Sequence, residues 1–253
     1  MRPETSSVLA DLGLVIEAVG DELHGSAAVV PAMWSPGTTN LRVSVVVAWA
    51  DILLGLLAVG DLAPRVPVTL ELDVHLFESI SGTPTVRSVA SVTKAGSMVH
   101  VCSIQFFTDD GKRVGFGHSL FMAAPDPRLS MPTGSWALDR FKSVRGMLVE
   151  PLSVRAGCVR TGPGVAELPC APHLLNSSKT LNGGLLAIPV EDAALSAVDT
   201  PVMVTSLQMR YLRPVRTGAI ATAVVQGTLA EVEVRDSGSG AIAVVATARL
   251  EKA

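Results

Sequence analysis

Apolar and polar residues alternate along most of this chain, but two long segments break the alternation. Residues 40–58 and 181–197 are apolar at nearly every position, and each segment contains at least one carboxylate. Apolar runs of this length predict buried helices, whereas the alternating runs that follow each of them predict strands with one buried face. The chain therefore carries one pattern twice, a long helix followed by three or four strands.

The remaining elements follow from the same two periods. A helical period predicts an entry helix over 5–20 and a further helix over 136–145. Alternation predicts strands over 27–33, 66–78, 85–94, 98–108, 113–123, 153–161, 165–169, 202–212, 219–233 and 241–251. Thr38, Thr39 or Asn40 is the predicted cap of the first long helix, because each side chain can accept from its free amides.

Four prolines and glycines within 124–134 mark a connection between the two copies. We expect an N-terminal unit over 1–127, a linker over 128–134 and a C-terminal unit over 135–253. A long helix wrapped by a curved antiparallel sheet is an α+β architecture. Such wrapping also explains why the two helices lack a continuous polar face. If the units form a fused pair, function is expected where they meet.

Composition narrows the classes of function. Apolar residues make up 48% of the 253 positions and charged residues 17%, which predicts a large buried core. The net charge of −3 gives no electrostatic reason to expect a nucleic-acid partner. Three cysteines without CxxC spacing, and histidines without HxH or HxxxH spacing, argue against a disulfide framework and a metal site.

The first residues and the longest apolar run indicate the expected cellular location. The first residues are polar and soon acidic, unlike the cationic start of a secretion signal. The run from Val43 to Gly60 is long enough to cross a membrane, but Asp51 interrupts it, and a charge at that depth is costly. We therefore expect a core helix in a cytoplasmic protein, without membrane insertion.

One segment carries a family resemblance. Residues 176–191 read Asn-Ser-Ser-Lys-Thr-Leu-Asn-Gly-Gly-Leu-Leu-Ala-Ile-Pro-Val-Glu. This resembles the active-site segment of hot-dog fold acyl-CoA thioesterases of the 4-hydroxybenzoyl-CoA and phenylacetyl-CoA type, in which an Asn precedes His-Gly-Gly and a carboxylate follows along the helix. Residues 207–218 are similar to the family's next strand. Over nearly the whole chain, the resemblance implies a double hot-dog made of two tandem units.

The chain departs from that family in two places. Asn182 stands where the family has its His, and the first copy has Arg42-Val43-Ser44 where the second has Asn-Gly-Gly. Nine positions separate Asn182 from Glu191 and Arg42 from Asp51, so the two carboxylates occupy equivalent positions.

The resemblance implies two unequal sites, because the family builds each one from both units. The site expected to be catalytically active combines Asp51 with the Gly183 amide and Asn176. Thr69, eighteen positions past Asp51, supplies a hydroxyl for the attacking water. The second site, around Glu191, is degenerate. Residues assigned to substrate binding are Asn182, Gly184, Arg210 and Arg213.

These groups fit hydrolysis of an acyl-CoA thioester. Amides at a helix start stabilise the oxygen that gains charge, and glycine leaves them open to the substrate. A carboxylate such as Asp51 activates water or attacks directly. The reaction requires no metal or redox cofactor, with coenzyme A present only as part of the substrate.

Plainer interpretations stay open beside this one. Asp51 could be a satisfied buried carboxylate, Glu191 a helix end that reaches solvent, and the glycine pair a tight turn. Asn176 suits a turn, Thr69 is ordinary in a strand, and the arginines around Tyr211 fit either a solvated edge or a site for coenzyme A phosphates. At the level of the whole protein, the alternatives are a non-catalytic acyl-CoA-binding module and an acyl-thioester hydratase or dehydratase. A homo-oligomer formed through the sheet edges is also open.

Overall fold

The computed structural model describes residues 7–96, 98–134, 136–139, 141–143 and 146–252. Within these ranges, twelve strands form one antiparallel sheet. The first six are β1 Val15–Val19, β2 Glu22–Ala28, β3 Pro67–Leu76, β4 Thr85–Ala95, β5 Val99–Thr108 and β6 Arg113–Ala123. The other six are β7 Val159–Gly162, β8 Val165–Pro169, β9 Val202–Tyr211, β10 Gly218–Gln226, β11 Leu229–Asp236 and β12 Ile242–Lys252.

The strand order repeats from the two edges toward the centre. It runs β1-β2-β4-β5-β6-β3 in the first half and β9-β12-β11-β10-β8-β7 in the second. Each strand of the first half therefore has a counterpart six numbers later. The central strands β3 and β9 pair antiparallel, from Glu71 opposite Arg210 to His75 opposite Ser206. This order relates the two halves by an approximate two-fold axis and confirms the mostly antiparallel architecture with few helices.

Two helices lie against this sheet, α2 over Val43–Leu62 and α5 over Ala187–Ser196. A short 3-10 turn, Gly184–Leu186, leads into α5 and also contacts α2. Helix α2 stops where Pro64 follows Ala63, since the residue before a proline disfavours the helical conformation. It is apolar enough to cross a membrane by length and composition, and 72% of its most apolar window is buried inside the protein.

The N-terminal segment differs from the predicted entry helix over 5–20. Helix α1 covers only Val8–Asp11, and the hairpin β1–β2 follows. Gly13 and Gly20 have φ angles of 66° and 60°, which a continuous helix does not allow. The predicted strand over 27–33 was also wrong for most of its length, because β2 ends at Ala28 and residues Pro31–Met33 form a 3-10 turn.

In the second copy two predictions were wrong and a third was confirmed only in part. The predicted strand over 153–161 begins as helix α4, Leu152–Ala156, before β7. The predicted strand over 219–233 is a hairpin, because Gly227 turns the chain at a φ of 62° between β10 and β11. The helix predicted over 136–145 is observed as α3 over Trp136–Asp139, and residues 140, 144 and 145 lie outside the described residues.

Candidate active site

The two halves fold alike just before their central helices. The Arg42 amide donates to the Met33 carbonyl at 3.0 Å, and the Asn182 amide donates to the Leu174 carbonyl at 3.0 Å. These matched bonds place Arg42 and Asn182 at equivalent helix starts, as their spacing from the carboxylates predicts. Val43 and Ser44 are therefore the counterparts of Gly183 and Gly184.

Each helix start receives a carboxylate from the helix of the other half. Asp51, on α2, accepts a hydrogen bond from the Gly184 amide at 3.1 Å. Glu191, on α5, accepts from the Val43 and Ser44 amides at 3.1 and 3.3 Å. Amides at a helix start have no partner within the helix and favour negative charge. This exchange replaces the predicted caps at Thr38, Thr39 or Asn40, since α2 begins only at Val43.

Gly184 fits closely against α2 at the point where Asp51 leaves that helix. A Cβ atom at Gly184 would lie 2.7 Å from the Asp51 Cβ and 3.1 Å from the Ala48 Cα. Carbon atoms do not pack at 2.7 Å, so this position requires glycine for a close approach of backbone to carboxylate. A Cβ atom at Gly183 would make only ordinary contacts, of 3.5 Å and longer.

The Asp51 carboxyl group is partly buried, and its pKa is raised to about 6. Burial is the main cause because it disfavours the charged form, while the Gly184 amide and the Asn182 side chain lower the pKa and offset part of the shift. A carboxyl group with such a pKa is ionised at neutral pH yet basic enough to accept a proton from water.

The backbone amide of Gly183 lies close to Asp51, since a Cβ atom at Gly183 would lie 3.6 Å from the Asp51 Oδ1. Within the described part of the chain, the Gly183 amide donates to no acceptor. The Gly183 carbonyl accepts from the Tyr211 hydroxyl at 3.0 Å, and the Asn182 Oδ1 accepts from the Leu185 amide at 3.2 Å. The glycine pair is thereby held between a strand and a helix, with one free amide.

The Glu191 cluster has a different character. Glu191 is 0% exposed and Arg42 is 2% exposed, and the Arg42 Nε donates to the Glu191 Oε2 at 2.9 Å. The Ser44 hydroxyl also donates to Glu191. Together with the Val43 and Ser44 amides, these contacts occupy both carboxylate oxygens. The interpretation of Glu191 as a helix end that reaches solvent was therefore wrong.

Asp192 extends this buried network. Its Oδ1 accepts from the Arg42 Nη2 at 3.1 Å and from the Arg160 Nη2 at 2.9 Å, and its Oδ2 accepts from the Ser153 hydroxyl. Burial alone would raise the pKa of Asp192, but the charge of Arg42, the Ser153 hydrogen bond and Arg160 lower it overall. At the helix start equivalent to Gly183-Gly184, the Val43 and Ser44 amides therefore both have an acceptor, and both residues are buried.

Two predicted residues do not join the Asp51 cluster through any described hydrogen bond. Asn176 uses its side chain inside its own loop, where its Oδ1 accepts from the Ser178 and Thr180 amides and its Nδ2 donates to the Thr180 hydroxyl. Thr69 lies on β3 opposite Phe121, next to a bulge. Asn182, assigned only to substrate binding, is the side-chain amide that acts on Asp51.

Charged residues near the site lie at its rim or outside it. Arg210 is half-exposed and pairs with Glu71 at 3.2 Å, and Arg213 is exposed. Tyr211, between them, was missed as a site residue although it is the single tyrosine of the chain. A hydratase would need His173 near the carboxylate, but the charges that act on His173 are those of Arg155 and Asp11: burial and Arg155 lower its pKa, and Asp11 offsets part of the shift.

Other potential sites lie away from Asp51. A groove of about 980 Å³ follows the second half of α2, between Leu56 and Asp61, and shares no lining residue with the Asp51 cluster. Among the described residues, no group of three His, Cys, Asp or Glu side chains could hold a metal ion. All three cysteines are free thiols.

Comparisons with known proteins place the fold. No family model and no curated protein matches the sequence. The structure is similar to the 12:0-ACP thioesterase from Umbellularia californica, with a TM-score of 0.67, 12% identity, and coverage of 93% of this chain and 99% of that one. It is also similar to an acyl-ACP thioesterase from Bacteroides thetaiotaomicron, with a TM-score of 0.65, 13% identity and coverage of 91% and 98%.

A third solved structure is similar over nearly its whole length. The tesB protein of Mycobacterium avium subs. paratuberculosis matches with a TM-score of 0.63, 15% identity, and coverage of 96% of this chain and 97% of that one. These matches span nearly the full length of each chain at low sequence identity, so they bear on the fold. The chain therefore has the hot-dog-type fold of these structures.

Proposed function

We propose that this protein hydrolyses acyl thioesters at the Asp51 site. The observation that carries the proposal is the pairing of a partly buried carboxylate with a free helix-start amide from the other half of the chain. Asp51 lies 3.1 Å from the Gly184 amide, and the neighbouring Gly183 amide has no acceptor among the described residues. Thioester hydrolysis needs a base or nucleophile beside a donor for the developing oxyanion.

The roles of the residues follow from these positions. The Gly183 amide stabilises the carbonyl oxygen as it gains negative charge. Asp51, ionised above its pKa of about 6, takes a proton from the attacking water or attacks the carbonyl carbon itself. Asn182 holds the entry to the 3-10 turn through the Leu185 amide and helps to keep Asp51 charged. Thr69 and Asn176 have no part in this mechanism.

We also propose that the architecture is a tandem double hot-dog with one working site. The strand order repeats between the halves, and α2 and α5 exchange carboxylates across their contact. The buried pairing of Arg42 with Glu191 supports assigning the second helix start a structural role.

We propose coenzyme A as the carrier of the acyl group. Arg213 is exposed two positions after Tyr211, and a guanidinium there can bind a phosphate group. Two of the similar structures are described as acyl-ACP thioesterases, so the choice between the two carriers needs a direct test.

The test is release of free thiol from acyl-CoAs of short, long and aromatic acyl groups and from the matching acyl carrier proteins. Wild type is compared with Asp51→Asn, because an asparagine oxygen can still accept from the Gly184 amide while the base is lost. Asp199→Asn is the matched control, since Asp199 is exposed after α5. We expect a drop of at least about 100-fold for Asp51→Asn, which is typical for a general base, and no change for Asp199→Asn.

Two results would contradict the proposal. Hydrolysis that survives in Asp51→Asn would remove Asp51 from the mechanism. Saturable binding of acyl-CoA without turnover, unchanged by Asp51→Asn, would identify a binding module in which Asp51 only caps the 3-10 turn. Preference between coenzyme A and carrier protein is read from the ratio of kcat/KM values for one acyl group on both carriers.

A further inference from the structure

One peptide unit joins Tyr211 to Asp51. The carbonyl of Gly183 and the amide of Gly184 belong to the same peptide group. Its oxygen accepts from the Tyr211 hydroxyl at 3.0 Å, and its N–H donates to the Asp51 Oδ2 at 3.1 Å. Tyr211 and Asp51 therefore lie at the two ends of a continuous hydrogen-bond chain that crosses one planar peptide.

We infer that Tyr211 is a positioning residue that acts through the Gly183–Gly184 peptide to strengthen its hydrogen bond to the Asp51 carboxylate and to hold the Gly183 amide toward the substrate. The inference rests on the proposed function for its catalytic consequence, while the hydrogen-bond chain itself does not. A donor on the peptide oxygen polarises the group and makes its N–H a better donor.

The surroundings of Tyr211 fit this role. A Cβ atom at Gly183 would lie 3.5 Å from the Tyr211 Cε1, so the ring packs directly over that glycine. Tyr211 is the last residue of β9, and its counterpart at the end of β3 is Leu76, which has no hydroxyl. The hydroxyl is thus present only beside the helix start that keeps a free amide.

The hydrogen-bond chain from Tyr211 to Asp51 controls whether the Asp51 carboxyl group is charged. The Gly184 amide and Asn182 are the groups that favour the carboxylate, and Tyr211 is the titratable side chain that faces it. Burial and the charge of Asp51 raise the pKa of Tyr211 well above its usual value, so its hydroxyl keeps its proton and donates at every pH of interest. Removing the hydroxyl weakens the Gly184 bond and favours protonated Asp51.

The experiment follows the carboxyl carbon of Asp51 by NMR in protein labelled at aspartate Cγ, with the signal assigned from Asp51→Asn. Wild type, Tyr211→Phe and Ser206→Ala are titrated between pH 4 and 9. Ser206 is the matched control, because it lies on β9 as Tyr211 does, but its hydroxyl bonds to His75 on β3. The pH dependence of kcat/KM for thioester hydrolysis is measured in parallel.

We expect the midpoint for Asp51 to rise by about 0.3–0.7 pH units in Tyr211→Phe, if a hydrogen bond to a charged acceptor loses roughly 30% of its strength. The acidic limb of kcat/KM shifts by the same amount, and Ser206→Ala shifts neither. A shift under about 0.2 units in the NMR midpoint would overturn the inference.

The two readouts separate this inference from the proposed function. A shifted NMR midpoint in a protein that hydrolyses no thioester would support the hydrogen-bond chain and remove the proposed function. Hydrolysis with an unshifted midpoint would keep the proposed function and overturn the inference. Loss of thermal stability in Tyr211→Phe without a shift would show that Tyr211 is merely structural, which also overturns it.

Discussion

Replacement of Arg42 by methionine tests whether the buried network holds the second helix start together. Arg42 is 2% exposed and contacts Glu191 and Asp192 at 2.9 and 3.1 Å. Burial would lower the pKa of Arg42, but the charges of both carboxylates outweigh it and keep the guanidinium protonated. Methionine fills similar volume and removes the charge, which leaves Glu191 buried without its cation.

The expected cost is large. Removing one partner of a buried ion pair destabilises a protein by about 3–5 kcal/mol, because the other charge stays desolvated. Asp192 retains Arg160 as a partner, so the loss falls mainly on Glu191. In a chain of this size, 1 kcal/mol corresponds to roughly 2–4 °C in Tm, which places the expected loss at about 6–20 °C.

A second variant identifies the cause. In Arg42→Met/Glu191→Gln the glutamine is neutral, and its oxygen can still accept from the Val43 and Ser44 amides. We expect urea unfolding at pH 7 to recover more than half of the loss. Arg249→Met, at an exposed arginine on β12, is the control and should change the free energy of unfolding by under about 0.5 kcal/mol.

Two results would refute this reasoning. A cost below about 1 kcal/mol for Arg42→Met would mean that water or a rearranged side chain compensates Glu191. A double variant no more stable than Arg42→Met would mean that lost packing, not the uncompensated charge, is the cause. Folded Arg42→Met should hydrolyse thioesters at the rate of wild type, since Asp51 lies at the other helix start.

Three further predictions concern single residues. Gly184→Ala should cost about 1–3 kcal/mol in urea unfolding, because its Cβ would overlap Asp51, whereas Gly183→Ala should be near neutral in stability. Since the pKa of Asp51 is about 6, hydrolysis should rise as pH increases through 6. The folded protein binds that proton more tightly than the unfolded chain, so the free energy of unfolding falls as pH rises from about 4 to 6. Asp51→Asn should therefore be roughly 1–2 kcal/mol more stable than wild type at pH 7.5. Amides of Arg216 and Ser239 lower the pKa of Asp236, so Asp236→Asn should lose at least about 1 kcal/mol by urea unfolding at neutral pH, a difference that disappears as pH falls below about 4.

Much of the sheet could be predicted from alternation alone. The strand predicted over 113–123 matches β6, and that over 165–169 matches β8, because one face of each is buried and the other is not. Helix α2 lies in the first long apolar segment, and the 3-10 turn with α5 lies in the second. Both lie between the sheet and other elements, so their lack of a polar face is a consequence of burial on several sides.

Two of the failures have a common physical origin in glycine. Apolar residues in 5–20 fit a helical period by coincidence, while Gly13 and Gly20 adopt left-handed conformations that only the folded chain reveals. Gly227 lies inside an otherwise continuous alternating run and splits it into two strands. A period in the side chains does not report the backbone angle at a single glycine.

The candidate site was predictable in its register and less so in its contacts. Counting nine positions aligned Asp51 with Glu191, and both reach the opposite helix start. Asn176 was chosen from family position, yet its side chain is saturated within a tight loop. Tyr211 could not be recognised, because the hydroxyl meets Gly183 only after β9 packs beside the second helix start.

The inequality of the two helix starts depends on one methylene group and one guanidinium. Glu191 is longer than Asp51 by a CH₂, and its two oxygens accept from both Val43 and Ser44. Among the backbone amides of the described residues, Asp51 accepts only from Gly184, and the Gly183 amide stays free. Arg42 then neutralises the longer carboxylate, a role that Asn182 lacks the charge to perform for Asp51. The same backbone geometry thus yields a buried, ion-paired network at one helix start and, at the other, a carboxylate beside an amide that has no acceptor among the described residues, and the proposed hydrolysis depends on this second arrangement.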